Sequence, residues 1–241
     1  MWPVGWRPGT MPGMTDDPEP GGTLLETERL RLRRFTLADL DHLVALDSDP
    51  EVMRYLTGGR PTPLPVVRDQ VLPRLLGEYD RWPGLGRWAA TDRTDGTFLG
   101  WFALDPPADP SPEPAADPAA DSATDPSTDP APDPPADPAA GRPQTELGRH
   151  LTQAELGYRL RRSVWGRGLA TEGSRALVHY AFRHLGLRRV WAQTMAVNLR
   201  SRRVMEKAGL RYVRTFHLTW DDPIPGSKHG EVEYEILRSE C

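Results

Sequence analysis

The sequence has little that could staple it together. Its 241 residues include one cysteine, Cys241, so no internal disulfide is open to it, and no Cys-x-x-Cys or Cys/His cluster offers a metal site. No run approaches the ~18 apolar residues of a membrane-spanning helix. The first 22 residues hold Trp2, Trp6, Asp16 and Asp17 among prolines, without the continuous apolar stretch of a signal peptide. A cytoplasmic protein with an N-terminal tail over residues 1–22 is expected on these grounds. A surplus of one charge is missing too. The formal net charge is −4, and the arginines scatter over many segments instead of forming the basic stripe of a nucleic-acid binder.

One segment lacks nearly everything a fold needs. Asp105 to Pro143 holds thirteen prolines, eight Asp, one Glu and one Arg, with almost no apolar side chain larger than Ala. Burial cannot offset the entropy of ordering such a chain, and like charges keep it extended. Acids recur every fourth residue from Asp117 to Asp137, but the prolines prevent the wrapped loop of a calcium site. The segment reads as a spacer inserted into a single domain over residues 23–241. Loop closure costs rise slowly with length, so a sheet tolerates it. The spacer carries a net charge of about −8, so the remainder is mildly basic, at about +4, which suits an anionic cofactor.

The rest is patterned for folding. Arg29 to Phe35 alternates, with Leu30 and Leu32 on one face, as in a strand. Thr36 stands three residues before Asp39, a capping box for a helix through Asp47. Asp49-Pro50 starts a short second helix ended by Gly58-Gly59. A third runs from Leu64 to Glu78 with Val67, Val71, Leu75 and Leu76 as its buried stripe, and Pro73 predicts a kink or a split in it. Arg87 to Thr91 and Thr97 to Leu104 form antiparallel strands about a turn at Asp92 to Gly96. After the spacer come a strand (Glu155 to Leu160), a helix (Leu169 to Leu185), a strand (Arg189 to Thr194) and a helix (Leu199 to Ala208) closed by Gly209. Strands at Tyr212 to Thr219 and Glu231 to Leu237 follow, separated by the turn-rich Asp221 to Gly230. This order predicts a mixed α/β layer fold.

Chemistry concentrates in the loop Trp165-Gly166-Arg167-Gly168-Leu169-Ala170, between a strand and the strongest helix. A helix start exposes unpaired amides and a partial positive charge, and here no side chain competes to cap them. Gly166 and Gly168 let the backbone curl around an anion, and Arg167 adds charge. The loop does not end in the Lys-Ser or Lys-Thr of a nucleotide-triphosphate loop. It also has two glycines, late in the domain, where a dinucleotide fingerprint has three near its first strand.

Together with Leu156-Gly157-Tyr158-Arg159-Leu160, Val190-Trp191-Ala192, Asn198, Ser201 and Glu206-Lys207-Ala208-Gly209-Leu210, this loop resembles the cofactor-binding half of the GNAT acetyltransferase superfamily. The branch it looks most like is the RimJ- and RimL-type ribosomal-protein N-terminal acetyltransferases, whose opening strand Thr27 to Arg33 also matches. The resemblance implies a central, mostly antiparallel sheet splayed at the cofactor site, and acetyl-CoA as cosubstrate. Trp165, Gly166, Arg167, Gly168, Leu169 and Ala170 would hold its diphosphate. Asn198 and Ser201 would flank the pantetheine arm and the thiol, and a main-chain amide near Tyr158 would polarise the thioester carbonyl. Asn198 also reads as a plain helix cap. Glu155 is the first candidate for general base, although strand alternation leaves its facing open. Glu172 reads as structural. Many superfamily members place a proton-donating Tyr where this chain has Met205, so Ser201 or a water would serve. The expected reaction is direct attack of a primary amine, a protein N-terminus or a small molecule, on the thioester, with positioning and backbone donors as the main aids. A catalytically silent CoA-binding module is the alternative. The first two helices and Asp221 to Gly230 would set the acceptor. A homodimer is possible, and neither membrane nor nucleic acid is expected as a partner.

Overall fold

Eight strands form one sheet among the described residues, which are 21–106, 151–219 and 222–240 of a computed structural model. They are β1 (Thr23–Glu26), β2 (Leu30–Arg34), β3 (Gly86–Asp92), β4 (Phe98–Asp105), β5 (Gln153–Leu160), β6 (Arg189–Met195), β7 (Arg211–Phe216) and β8 (Glu231–Leu237). Their order is β1-β2-β3-β4-β5-β6-β8-β7, and every neighbouring pair is antiparallel except β5 and β6. Six helices cover the two faces: α1 (Leu40–Asp47), α2 (Pro50–Met53), α3 (Leu64–Val66), α4 (Leu72–Arg81), α5 (Leu169–Arg183) and α6 (Leu199–Ala208).

Strand alternation sorts the core into two layers. Leu30, Leu32, Trp88, Ala90, Phe102 and Leu104 pack with Leu177, Val178, Ala181 and Phe182 of α5. The opposite side chains, such as Ala89 and Phe98, pack with Leu43, Leu46, Val67, Leu72 and Leu75 of the early helical segments. Close approach of α5 to the sheet depends on Gly173, where an added Cβ would overlap the Phe102 ring. Gly173→Ala should therefore cost about 1–3 kcal/mol. A thermal melt would show this as a drop of several degrees, and an unchanged Tm would contradict the tight packing.

The predicted third helix is split, and the cause is visible. Val67–Val71 is a π-helical segment, with the Leu72 amide bonded to the Val67 carbonyl. That wider turn leaves Pro73 in the first turn of α4, where its missing donor costs nothing. The Thr36–Asp39 capping box forms, but it opens a 3-10 turn at Leu37–Asp39 before α1 begins. Asp39 is held there by Arg33 at 2.7 and 2.8 Å.

Several boundaries differ from the sequence expectation. β1 had no strand assigned to it; it is four residues long and pairs only with β2. α2 stops at Met53, and the chain turns on to Gly59 with the amides of Leu56, Thr57 and Gly59 all bonded to the Met53 carbonyl. β7 ends at Phe216. β4 runs one residue past its expected end at Leu104 and takes in the first residue of the spacer, because Asp105 pairs with Glu155. The spacer from residue 107 and the tail through residue 20 lie outside the described residues.

Candidate active site

β5 and β6 run side by side for only three residues. Gln153, Ala154 and Glu155 pair with Arg189, Val190 and Trp191, and there the ladder stops. Each strand stays committed to its other neighbour: β5 to β4 through Leu160, and β6 to β8 through Met195. The two strands part like a V whose vertex is Glu155–Trp191, so main-chain donors and acceptors on the facing edges beyond it lack a ladder partner. A linear amide-bearing molecule laid in the V could bond to them as an added strand does.

The glycine loop lies after the open end of β5. Arg162–Val164 makes a 3-10 turn, and Trp165 donates its Nε1 to the Leu160 carbonyl at 2.8 Å. The Arg200 guanidinium stacks over the Trp165 ring at 5.4 Å. Gly166 has φ +75° and Gly168 φ +80°, a region that glycine enters without strain. Gly168 is the N-cap of α5 and offers no side chain to its amides. Among the described residues, the amides of Gly166 through Ala170 have no hydrogen-bond partner. The loop is clamped from behind by a residue that the sequence did not single out. Arg29 donates to both Glu172 oxygens, through its main-chain amide at 2.9 Å and its Nε at 2.7 Å, and also to the Arg167 carbonyl at 2.9 Å. Thr27 completes the cradle with a hydroxyl bond to Glu172 at 2.6 Å. Glu172 is thus structural, as expected. Five main-chain donors on a rigid helix start, with a positive partial charge behind them, fit a diphosphate.

On the α5–α6 side of the V, the Tyr158 hydroxyl meets Ser201 Oγ at 2.8 Å and donates to the Ser201 carbonyl at 3.1 Å. Burial pushes the Tyr158 phenol up to about 12, so it stays protonated. Asn198 caps α6: its Oδ1 accepts from the Ser201 amide at 3.3 Å, and its Nδ2 donates to Thr194 Oγ1 at 3.0 Å. The expected thiol-side pair therefore sits together at the start of one helix, and Asn198 does act as a cap. Met205 is buried in the core.

The other side of the V, under α1–α4, is charged. Glu155 faces it, which the alternation alone had left open. Burial raises its carboxyl to about 7; Asp105 across the β4 ladder and Glu233 add to the rise, while Arg87 and a hydrogen bond from Gln193 oppose it. Arg87 holds Asp105 at 3.0 Å and stacks on Trp101 at 5.2 Å, with Arg159 on the same ring at 5.1 Å. The two segments expected to shape the acceptor site touch. A Cβ on Gly58 would lie 3.2 Å from Ile224, and Arg60 pairs with Asp222 at 2.6 Å. Among the described residues, no cluster of His, Cys, Asp and Glu could hold a metal, and no helix is long and apolar enough to cross a membrane.

With this geometry in hand, the similarities to known proteins are informative. The model of the acetyltransferase (GNAT) domain family matches residues 29–126 and 134–211. An FsC-acetyl coenzyme A-N(2)-transacetylase of Aspergillus fumigatus is 34% identical over 221 residues, which is 90% of this chain and 77% of that protein. Among solved structures, a GNAT-family acetyltransferase from Bacillus anthracis superposes with a TM-score of 0.59 at 20% identity, over 89% of this chain and 98% of that one. The RimL ribosomal L7/L12 α-N-protein acetyltransferase, solved with coenzyme A, gives 0.59 at 15% identity over 89% and 97%. Those two structures share the fold; neither identity is high enough to carry an acceptor across.

Proposed function

The chain belongs to the GNAT acetyltransferase family, and we propose that it moves an acetyl group from acetyl-CoA to a primary amine, with Glu155 as the base. The observation that carries the proposal is the place of Glu155: it is the last residue of β5 that pairs with β6, at the vertex of the V, on the face opposite Tyr158 and Ser201. Glu155 takes a proton from the incoming ammonium, directly or through one water, so that the nitrogen lone pair can form the new C–N bond as the C–S bond breaks. A carboxyl near 7 is matched to that task at neutral pH. Trp165, Gly166, Arg167, Gly168, Leu169 and Ala170 hold the diphosphate of the donor, and the open edge of β5 near Tyr158 orients its amide-rich arm. Ser201 gives its hydroxyl proton to the departing thiolate and takes one from Tyr158, and the second proton that the acylated nitrogen sheds returns through water to Tyr158. The pair thereby fills the place of the Tyr that Met205 lacks.

The relative from Aspergillus fumigatus favours an amine of the N(2) kind over a protein N-terminus, since its name describes an acetyl transfer to N(2) of FsC. A RimJ- or RimL-like role on a ribosomal protein has the shared fold behind it and nothing more. The competing reading, a CoA-binding module without turnover, rests on Met205 and on the acidic spacer. Thiol release from acetyl-CoA in the presence of small amines and of peptide N-termini separates these. Turnover with small amines is expected. Stabilisation by acetyl-CoA without turnover of either group would establish the silent module.

A further inference from the structure

Building on the acetyl-transfer reading, we infer that the acceptor carries a second positively charged group, an ammonium or guanidinium, which Glu231 receives at the far end of the same cleft. The sheet face under α1–α4 is crowded with carboxylates, and nearly all have cationic partners within the chain. Asp47 pairs with Arg159 and Asp105 with Arg87. Glu233 pairs with Arg189 and Arg214, Glu235 with Arg189, and Glu78 of α4 reaches Arg74 at 3.5 Å. Among the described residues, two carboxylates on this face have no ion-pair partner: Glu155 at the vertex, and Glu231.

Glu231 is the more telling of the two. It is only 6% exposed, and its Oε1 is buried with no hydrogen-bond partner. Burial holds its carboxyl above the usual range, and ionising it there costs several kcal/mol that a cation meeting it would offset. Its neighbours by register are Met195 on β6 and Phe216 on β7, and neither can. The position is also apt. On β6, Trp191 marks the level of Glu155 and Met195 the level of Glu231, four residues further toward the open end of the V. At ~3.3 Å per residue the two levels are about 13 Å apart along β6, and β8 lies two strands from β5 at ~4.8 Å per strand, so the carboxylates stand roughly 16 Å apart and each serves a separate point. The turn at Gly226 closes over that end, where an added Cβ would meet Val197 and Met195, and Ile224 beside it touches Gly58. Glu231 thus stands inside the segments that border the acceptor side. A partner cation from the acceptor would satisfy it and fix which nitrogen lies at Glu155.

The test uses the full chain, acetyl-CoA, linear diamines of increasing length and monoamines of matching length. For diamines whose nitrogens can span the two levels, kcat/KM should exceed that of the matching monoamine by about tenfold or more. Glu231→Gln, which keeps the shape and removes the charge, should bring that ratio close to one, chiefly by raising KM for the diamine. A melt with and without acetyl-CoA checks that the variant is folded. Equal use of diamines and monoamines by the native chain, or a ratio untouched by Glu231→Gln, overturns the second cation and leaves the acetyl transfer standing. No turnover of any amine while acetyl-CoA still raises Tm overturns the transfer reading, and this inference with it.

Discussion

Glu155→Gln is expected to lower kcat/KM for the amine acceptor by about 10²–10³-fold, a typical worth for a positioned base. The pH profile gives the loss its meaning. A carboxyl raised to about 7 accepts a proton only when ionised, so the native enzyme should lose activity as pH falls through 7, with a slope of one on the acid side. The variant should lack that limb. Asp105→Asn removes one of the charges that raise Glu155, so its limb should move to lower pH while turnover persists. Stability should move the opposite way. A carboxyl whose pKa rises from 4.5 unfolded to about 7 folded destabilises the fold as it ionises. The penalty is absent below about 4.5, grows between 4.5 and 7, and is full above 7. Its upper size is about 3 kcal/mol. Glu155→Gln should therefore melt higher than the native chain at pH 8 and equally at pH 4. A variant that keeps the acid limb and near-native turnover would remove Glu155 from the chemistry.

The sequence made one half of this site legible and hid the other, for a physical reason. The glycine loop, Asn198 and Ser201 are local: a helix start, its missing cap and a three-residue spacing are all written in consecutive residues. The split at Pro73 was legible in the same way, since a proline constrains its own turn wherever it occurs. Arg29 is different. It reaches Glu172 across 143 positions, and no spacing rule links a charged residue before one strand to a helix start so far along. The glutamates of β8 show a second blind spot. Glu231, Glu233 and Glu235 alternate with Val232, Tyr234 and Ile236, a pattern that reads as a wet face opposite a dry one. Alternation says which residues share a face and nothing about what covers it. Here Glu231 and Glu233 are both buried; among the described residues Glu231 has no ion-pair partner, and Glu233 is held by two arginines. Glu155 belongs to that same face, and its protonation follows from neighbours on β4 and β8 that no local pattern brings together.

Gly168→Val should weaken acetyl-CoA binding by about 100-fold or more, read by calorimetry or by loss of the Tm rise that acetyl-CoA gives. Gly168 holds φ +80° at the N-cap of α5. A β-branched residue is an outlier there, at a cost of roughly 1–2 kcal/mol. Relief requires the peptide planes on either side of it to rotate, and those planes carry the amides of Gly168 and Leu169. Arg29 holds the Arg167 carbonyl, which shares a plane with the Gly168 amide, and it also holds Glu172 further along α5, so rotation falls on the plane that carries the Leu169 amide. Strain alone does not explain a binding loss, and Gly96 provides the control. It has φ +75° in the turn between β3 and β4, with nothing within 4 Å of an added Cβ. Gly96→Val bears the same backbone penalty away from the loop, so it should lower Tm by a similar amount and leave acetyl-CoA affinity intact. If Gly168→Val also kept its affinity, the helix start would not be what holds the diphosphate.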